Sequence, residues 1–146
     1  MKRYYTLIIV FLMLLPGYVT AQQNHAGLIK TMFGEVNVRR GQALIPAMPE
    51  MPVIDKDVVI TSNNAFAGIM FTDDTVITIG PGTEFKIDTY IFAPSDEAYY
   101  FSFYLKKGSA IYNSGKIGKL SPQSVKLATP KATIGIRGTR FIIDVN

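Results

Sequence analysis

The chain contains no cysteine and no tryptophan, and His25 is its only histidine. Disulfides, thiol catalysis and thiolate metal sites are therefore excluded. A serine–histidine arrangement has no histidine to draw on outside the N-terminal tail, and a histidine-based zinc site would have one ligand at most. From these absences we expect no enzyme activity, no catalytic residue, no metal and no cofactor.

Long apolar runs are also scarce, and the clearest one is Tyr4–Leu15. It follows the basic head Met1-Lys2-Arg3, and it precedes the helix-breaking pair Pro16-Gly17 and the small residues Val19-Thr20-Ala21. This order is typical of a secretory signal peptide. The run is shorter than the roughly 20 residues that a membrane-spanning helix needs. The sequence predicts a cleaved signal peptide at 1–21, and an uncleaved anchor helix is the alternative.

Removal of the signal peptide would leave a chain of the length typical of one domain. We expect a flexible tail at 22–27, a single domain at 28–146, and no integral membrane segment after cleavage. An exported chain without disulfides is typical of a bacterial envelope. We therefore expect a periplasmic or secreted location.

The domain shows apolar positions that recur with a period of two, which predicts β-strands. The expected strands are Leu28–Arg39, Val58–Thr61, Ala65–Thr72, Thr75–Gly80, Thr83–Phe92, Tyr99–Leu105, Ser109–Asn113, Val125–Thr129 and Ala132–Val145. We expect an extended loop at Ala43–Pro52, a chain reversal at Lys107-Gly108 and a loop at Gly115–Ser124. The sequence predicts an all-β fold, as a short-stranded sandwich or jelly roll or a β-solenoid-like roll, with no substantial helix after the signal peptide.

Asp73-Asp74 lies between two of the expected strands, whose apolar residues both fall on odd numbers. A hairpin that keeps both sets on one face needs a loop with an odd number of residues, most simply Asp73-Asp74-Thr75. A pair of carboxylates is also compatible with catalysis or calcium binding. Because aspartates at a hairpin tip usually serve turn geometry, we favour the structural interpretation.

Two groups of residues are candidates for binding a partner. If Phe101 and Phe103 face the core, Tyr100 and Tyr104 face outward, where they form either a contact surface for protein or glycan or ordinary cross-strand packing. Arg137 and Arg140 flank Gly138, where the apolar pattern slips by one residue. This slip indicates either a β-bulge or a strand passing from one sheet to another.

The two arginines have two interpretations as well. They clamp a carboxylate or phosphate of a partner, or they pair with Asp88, Asp144 or a backbone carbonyl and hold the chain in place.

Charge is distributed unevenly along the chain: from Glu50 to Glu97 there are nine acidic and two basic residues, and from Leu105 to Asn146 there are eight basic residues and one acid. Either these regions neutralise each other, or the second forms a basic face for an acidic partner.

Four segments form a recognisable series along the chain: Gly34-Glu35-Val36; Thr61-Ser62 with Phe71-Thr72-Asp73-Asp74-Thr75 and Ile77-Thr78-Ile79-Gly80-Pro81; Leu105-Lys106-Lys107-Gly108-Ser109-Ala110; and Thr129-Pro130 with Ile134-Gly135-Ile136-Arg137-Gly138-Thr139-Arg140-Phe141. In this order they resemble the FecR domain family. The resemblance extends from Leu28 to Val145 and implies a periplasmic sensing or interaction module. Family members that regulate iron-uptake genes carry an anti-sigma segment and a membrane helix before this domain, and we expect neither in this chain.

Two functions are therefore expected. The first is a non-enzymatic periplasmic interaction or signalling module that binds another envelope protein through an edge strand or the tyrosine face. The second is a structural or cell-wall protein, with glycan as a possible ligand and no signalling role. Export argues against nucleic acid as the partner.

Overall fold

The computed structural model describes residues 24–146, so the predicted signal peptide at 1–21 lies outside the described residues. The strands are β1 (Gly27–Phe33), β2 (Val36–Arg40), β3 (Ala43–Pro46), β4 (Pro52–Val53), β5 (Val58–Thr61), β6 (Phe66–Phe71), β7 (Val76–Ile79), β8 (Glu84–Ala93), β9 (Ala98–Asn113), β10 (Val125–Ala128), β11 (Thr133–Gly135) and β12 (Arg140–Val145). A five-residue helix, α1 (Lys116–Leu120), and two 3₁₀ turns, Pro94–Asp96 and Pro122–Ser124, complete the described elements. The all-β prediction is confirmed, although the expected loop at Gly115–Ser124 contains α1.

The strands form one curled sheet around a single core, and the long strand β9 belongs to both of its halves. In the first half, the order is β3-β2-β5-β8-β9-β10-β11, and β10 runs parallel to β9. In the second half, the order is β12-β9-β7-β6-β1-β4. Because one strand serves both halves, residues on its two ends face different parts of the surface.

The passage of β9 between the halves occurs at Gly108, where the sequence predicts a chain reversal. That prediction is wrong, because the strand continues from Ala98 to Asn113. Its pairing with β8 shifts by one residue just before this point, and Gly108 has a φ of +88°. A Cβ at Gly108 would lie 2.6 Å from the Cα of Thr83. Glycine therefore allows both the left-handed backbone and the close approach that bend β9.

The core between the two halves is largely aromatic and β-branched. The largest fully buried side chains are Tyr112, Phe71, Phe85, Phe101, Phe103, Ile29, Ile69, Ile77, Ile79, Ile87, Leu105 and Ile117. The rings of Phe71 and Phe101 lie 4.6 Å apart, and those of Phe85 and Phe103 lie 5.5 Å apart. Each such side chain contributes about 1.5–3 kcal/mol by leaving water. The inward side chains of β9 are fixed in this core, which positions the side chains on its outer face.

The β6–β7 hairpin confirms the predicted odd loop and shared face. Ile69 pairs with Ile77, and both are fully buried. The amide of Phe71 donates a hydrogen bond to the carbonyl of Thr75 at 2.8 Å, which leaves a three-residue loop at 72–74. The loop therefore starts one residue earlier than expected. Asp74 takes a φ of +68°, a left-handed conformation that aspartate tolerates.

The segment at Ala43–Pro52 is less irregular than expected. Residues Ala43–Pro46 form β3, which pairs with β2, and Pro52 begins β4, which pairs with β1. Both are short edge strands, where proline is tolerated because one side of the strand needs no hydrogen-bond donor. The spacing of the prolines is compatible with an edge strand and with an extended loop that has no strand partner, so it does not distinguish the two.

The predicted flexible tail at 22–27 also ends earlier than expected. Ala26 is buried, and its amide donates a hydrogen bond to the carbonyl of Val53 at 2.8 Å. Its own carbonyl accepts a hydrogen bond from the amide of Thr72 at 2.9 Å, and β1 starts at Gly27. Backbone pairing therefore includes Ala26 and Gly27 in the folded domain.

The C-terminal region separates into two strands with different partners. The strand β11 pairs with β10 in the first half, whereas β12 pairs with β9 in the second half. The phase slip near Gly138 is therefore the passage from one half to the other, and the alternative of a β-bulge is wrong. Gly138 has a φ of +139°, which again requires glycine.

Candidate functional site

The outer face of the first half carries a patch of tyrosine and lysine side chains, here called the Tyr–Lys face. It consists of Lys86 from β8, Tyr100, Ser102 and Tyr104 from β9, and Lys126 from β10. Sheet register brings these residues together, because Tyr104 lies opposite Lys86 on one side and Ser102 lies beside Lys126 on the other. The two tyrosines are half-buried and Lys126 is exposed.

Strand alternation explains why the two tyrosines point outward. Phe101, Phe103 and Leu105 are fully buried on the inner face, so the even-numbered positions between them face away from the core. The predicted orientation of β9 is therefore confirmed. The structure brings Tyr100 and Tyr104 together on one surface.

Lys126 gives this surface a positive charge, and no acidic side chain among residues 24–146 forms an ion pair with it. Its ammonium nitrogen lies 5.6 Å from the centre of the Tyr100 ring, within the range of a cation–π contact. Lys86, in contrast, forms an ion pair with Asp88 at 2.8 Å. The ring holds the Lys126 ammonium over the face without cancelling its charge, so the ammonium is available to an acidic partner.

Arg137 lies in a second location, the connection between β11 and β12. It lines an open pocket of about 470 Å³ together with Lys119, Ser114 and Thr139. The amide of Ser114 donates a hydrogen bond to the carbonyl of Thr139 at 2.8 Å, which ties this connection to the end of β9. Two cations and two hydroxyl groups make the pocket suitable for an anionic group.

Arg140 is in a third location, at the start of β12 and opposite Asn113. The four predicted partner-binding residues therefore divide among a sheet face, a pocket and an edge strand, and they do not form one site. Within residues 24–146, neither Arg137 nor Arg140 forms an ion pair, and Asp88 pairs with Lys86 instead. The acidic partners considered for the arginines do not engage them.

Ion pairs neutralise only part of the basic region. Glu84 pairs with Lys106 at 3.1 Å and with Lys107 at 3.6 Å, and Asp74 pairs with Lys116 at 2.8 Å. Of the eight basic residues between 105 and 146, the remaining five form no ion pair in the described part of the chain: Lys119, Lys126, Lys131, Arg137 and Arg140. Each interpretation of the charge pattern thus applies in part, because three of the eight basic residues are neutralised and five are not.

Lys119 and Lys126 were not among the candidates from the sequence. The sequence shows an excess of basic residues after residue 105, but the residues next to Lys119 and Lys126 do not distinguish them from the three lysines that form ion pairs. Their positions follow from the parallel pairing of β10 with β9 and from the placement of α1 beside the β11–β12 connection.

Asp73 is a buried structural residue. One of its carboxylate oxygens accepts hydrogen bonds from the hydroxyl of Thr75 at 2.7 Å and the amide of Ile117 at 3.0 Å. The other accepts from the hydroxyl of Tyr90 at 3.0 Å. Asp73 thereby ties the β6–β7 loop to α1 and β8. Burial raises the pKa of Tyr90, which keeps this hydroxyl protonated as a donor.

A larger open concavity of about 1060 Å³ lies beside Arg40, Asp55 and Tyr90. Arg40 is engaged by Asp57, with nitrogen–oxygen distances of 2.9 and 2.7 Å, and this contact raises the pKa of Arg40. Asp55 accepts a hydrogen bond from the amide of Tyr90 at 3.0 Å. These groups already serve the fold, so the concavity is a weaker candidate than the Tyr–Lys face.

Residues 24–146 contain neither a cluster of metal-ligating side chains nor a membrane-spanning helix. No three histidine or acidic side chains in this range lie close enough together to hold a metal ion. No helix in the same range has both the length and the apolar character needed to cross a membrane.

Comparison with known proteins agrees with the resemblance described above. The model of the FecR family, described as FecR protein, matches residues 57–146, which is more than half of the chain. No curated protein and no solved structure matches this chain. The matched region contains β9, β10, β11 and β12, and therefore the Tyr–Lys face, the Arg137 pocket and the terminal edge strand. The chain belongs to the FecR family.

Proposed function

We propose that this chain is exported and works outside the cytoplasm as a non-enzymatic interaction or signalling module, which binds an acidic segment of another envelope protein. Membership of the FecR family supports this, because FecR domains are in general envelope-associated regulatory modules. The basic head and apolar run before Ala21 support export.

The observation that carries the proposal is the Tyr–Lys face. Tyrosine is enriched in protein interfaces because it offers a large apolar ring and a polar hydroxyl with few rotatable bonds. Tyr100 and Tyr104 present such rings on a strand that is paired on both sides, and Lys126 adds an unpaired charge between them. A partner with apolar and acidic side chains on one face would complement this surface.

The matched test is a pull-down from an envelope extract with the mature chain and single variants. Tyr104→Ala should weaken retention of the partner by roughly 1–2 kcal/mol, as expected for a tyrosine at the centre of an interface. Lys126→Glu should weaken it further and remove part of its salt dependence. Lys119→Glu makes the same charge change at a second lysine without an ion pair, in the Arg137 pocket away from the Tyr–Lys face, and should leave retention unchanged.

The second function, a structural or glycan-binding role in the cell wall, is distinguished by co-sedimentation with peptidoglycan. The proposal expects the chain to stay in the supernatant and to retain a discrete protein that Lys126→Glu releases. Sedimentation with peptidoglycan, together with equal protein retention by all variants, would favour the structural role.

A further inference from the structure

The edge strand β12 offers an unpaired side. Within residues 24–146, β12 pairs with β9 on one side and with no strand on the other. Its six residues pair with β9 in continuous register and include neither lysine nor proline, which commonly protect sheet edges. Ile142, at its centre, is 68% exposed. Such an edge is a template for a further strand.

The outward face of β12 is complementary to itself. Arg140, Ile142 and Asp144 alternate along this face, with a positive charge at one end and a negative charge at the other. In an antiparallel pair of two β12 strands centred on Ile142, each Arg140 lies opposite the other copy's Asp144. Neither charge forms an ion pair within the described part of the chain.

The inward face supports the same register. Phe141, Ile143 and Val145 are half-buried and pack against the core. Centring on Ile142 places Phe141 opposite Ile143 of the second copy, so both cores continue across the junction. Centring one residue away in either direction would leave Arg140 and Asp144 without opposite charges.

We propose that this chain forms a dimer in which β12 pairs antiparallel with β12 of a second copy, about a two-fold axis through Ile142. The contacts are then reciprocal, because Arg140 of each copy faces Asp144 of the other and only Ile142 faces its own counterpart, as a closed two-fold assembly requires. The dimer leaves the Tyr–Lys face free, because that face lies on the other half of the sheet.

The absence of cysteine makes a sharp test possible. In the mature chain, Ile142→Cys places two thiols directly opposite each other, at a Cα separation that a disulfide can bridge. Mild oxidation should convert most of this variant to a covalent dimer. Asn146→Cys, whose counterpart would lie roughly 26 Å away along the strand direction, and Ile134→Cys on the β11 edge should form no covalent dimer on the same gel.

Charge exchange tests the register independently by sedimentation velocity. Arg140→Asp or Asp144→Arg alone should weaken dimerisation about tenfold or more, because each replaces two attractions with two repulsions. The double exchange should restore it to within about threefold. A monomeric wild-type chain, equal cross-linking at all three positions, or failure of the double exchange with both single variants folded by circular dichroism would overturn the proposal.

Discussion

Gly108 is the position where the bend of β9 can be tested by one methyl group. Gly108→Ala forces an alanine into a φ of +88°, which costs about 1–2 kcal/mol. The new Cβ would also lie 2.6 Å from the Cα of Thr83 and closer still to its hydroxyl oxygen. Displacing buried backbone costs about 1–3 kcal/mol more. We expect a total loss of about 2–5 kcal/mol of unfolding free energy.

Two other glycines separate these contributions in urea unfolding. Gly41 has a φ of +60° and open space around its Cβ position, so Gly41→Ala should show the backbone cost alone, about 1–2 kcal/mol. Gly135 has open space and no positive φ, so Gly135→Ala should stay within about 0.5 kcal/mol of wild type. If Gly108→Ala is no worse than Gly41→Ala, the close approach to Thr83 does not exist in solution.

The side chains of Asp73, Asp57 and Tyr90 make polar contacts that hold separate strands together. Asp73→Ala should cost about 3–5 kcal/mol, because it leaves several buried donors unpaired. Asp74→Asn, which removes only an exposed ion pair, should cost less than about 1 kcal/mol in the same denaturation assay. Arg40→Met should cost about 2–4 kcal/mol, because the carboxylate of Asp57 stays buried without its partner. Burial holds the pKa of Tyr90 above the value of about 10 in the unfolded chain. The stabilisation that the protonated Tyr90 hydroxyl gives the folded state is therefore fully present below about pH 10 and falls as the pH rises further. Tyr90→Phe should make this alkaline loss shallower, and an equal slope in both proteins would contradict the assignment.

The sequence predicted those parts of the fold that depend on local alternation. The strand Val58–Thr61, the odd loop of the β6–β7 hairpin and the inward orientation of Phe101 and Phe103 all appear in the structure. In each case, burial of one face decides the register, and that pattern is written in adjacent residues.

The sequence was misleading or ambiguous at Lys107-Gly108 and at Gly138, where strands that are distant in sequence decide the backbone conformation. A lysine–glycine pair such as Lys107-Gly108 has the same local preference in a chain reversal and in a bend within a strand. Here the bend is selected by β8 on one side and by β7 and β12 on the other. The phase slip at Gly138 was located correctly, but only the separate partners of β11 and β12 distinguish a passage between halves from a bulge.

The candidate site could be predicted only in part for the same reason. The outward orientation of Tyr100 and Tyr104 followed from alternation along one strand. The position of Lys126 beside them depends on the parallel pairing of β10 with β9, across a separation of more than twenty residues. Sequence spacing contains no signal for that register.

The most direct test of the proposed function is site-specific photo-cross-linking in intact cells. A benzophenone amino acid at position 104 should yield one discrete adduct with another envelope protein, and Lys126→Glu in the same chain should abolish it. The same probe at position 78, on the outer face of the second half of the sheet, should yield no such adduct. Adducts of equal intensity at both positions, or an adduct at 104 that Lys126→Glu leaves intact, would contradict binding through the Tyr–Lys face.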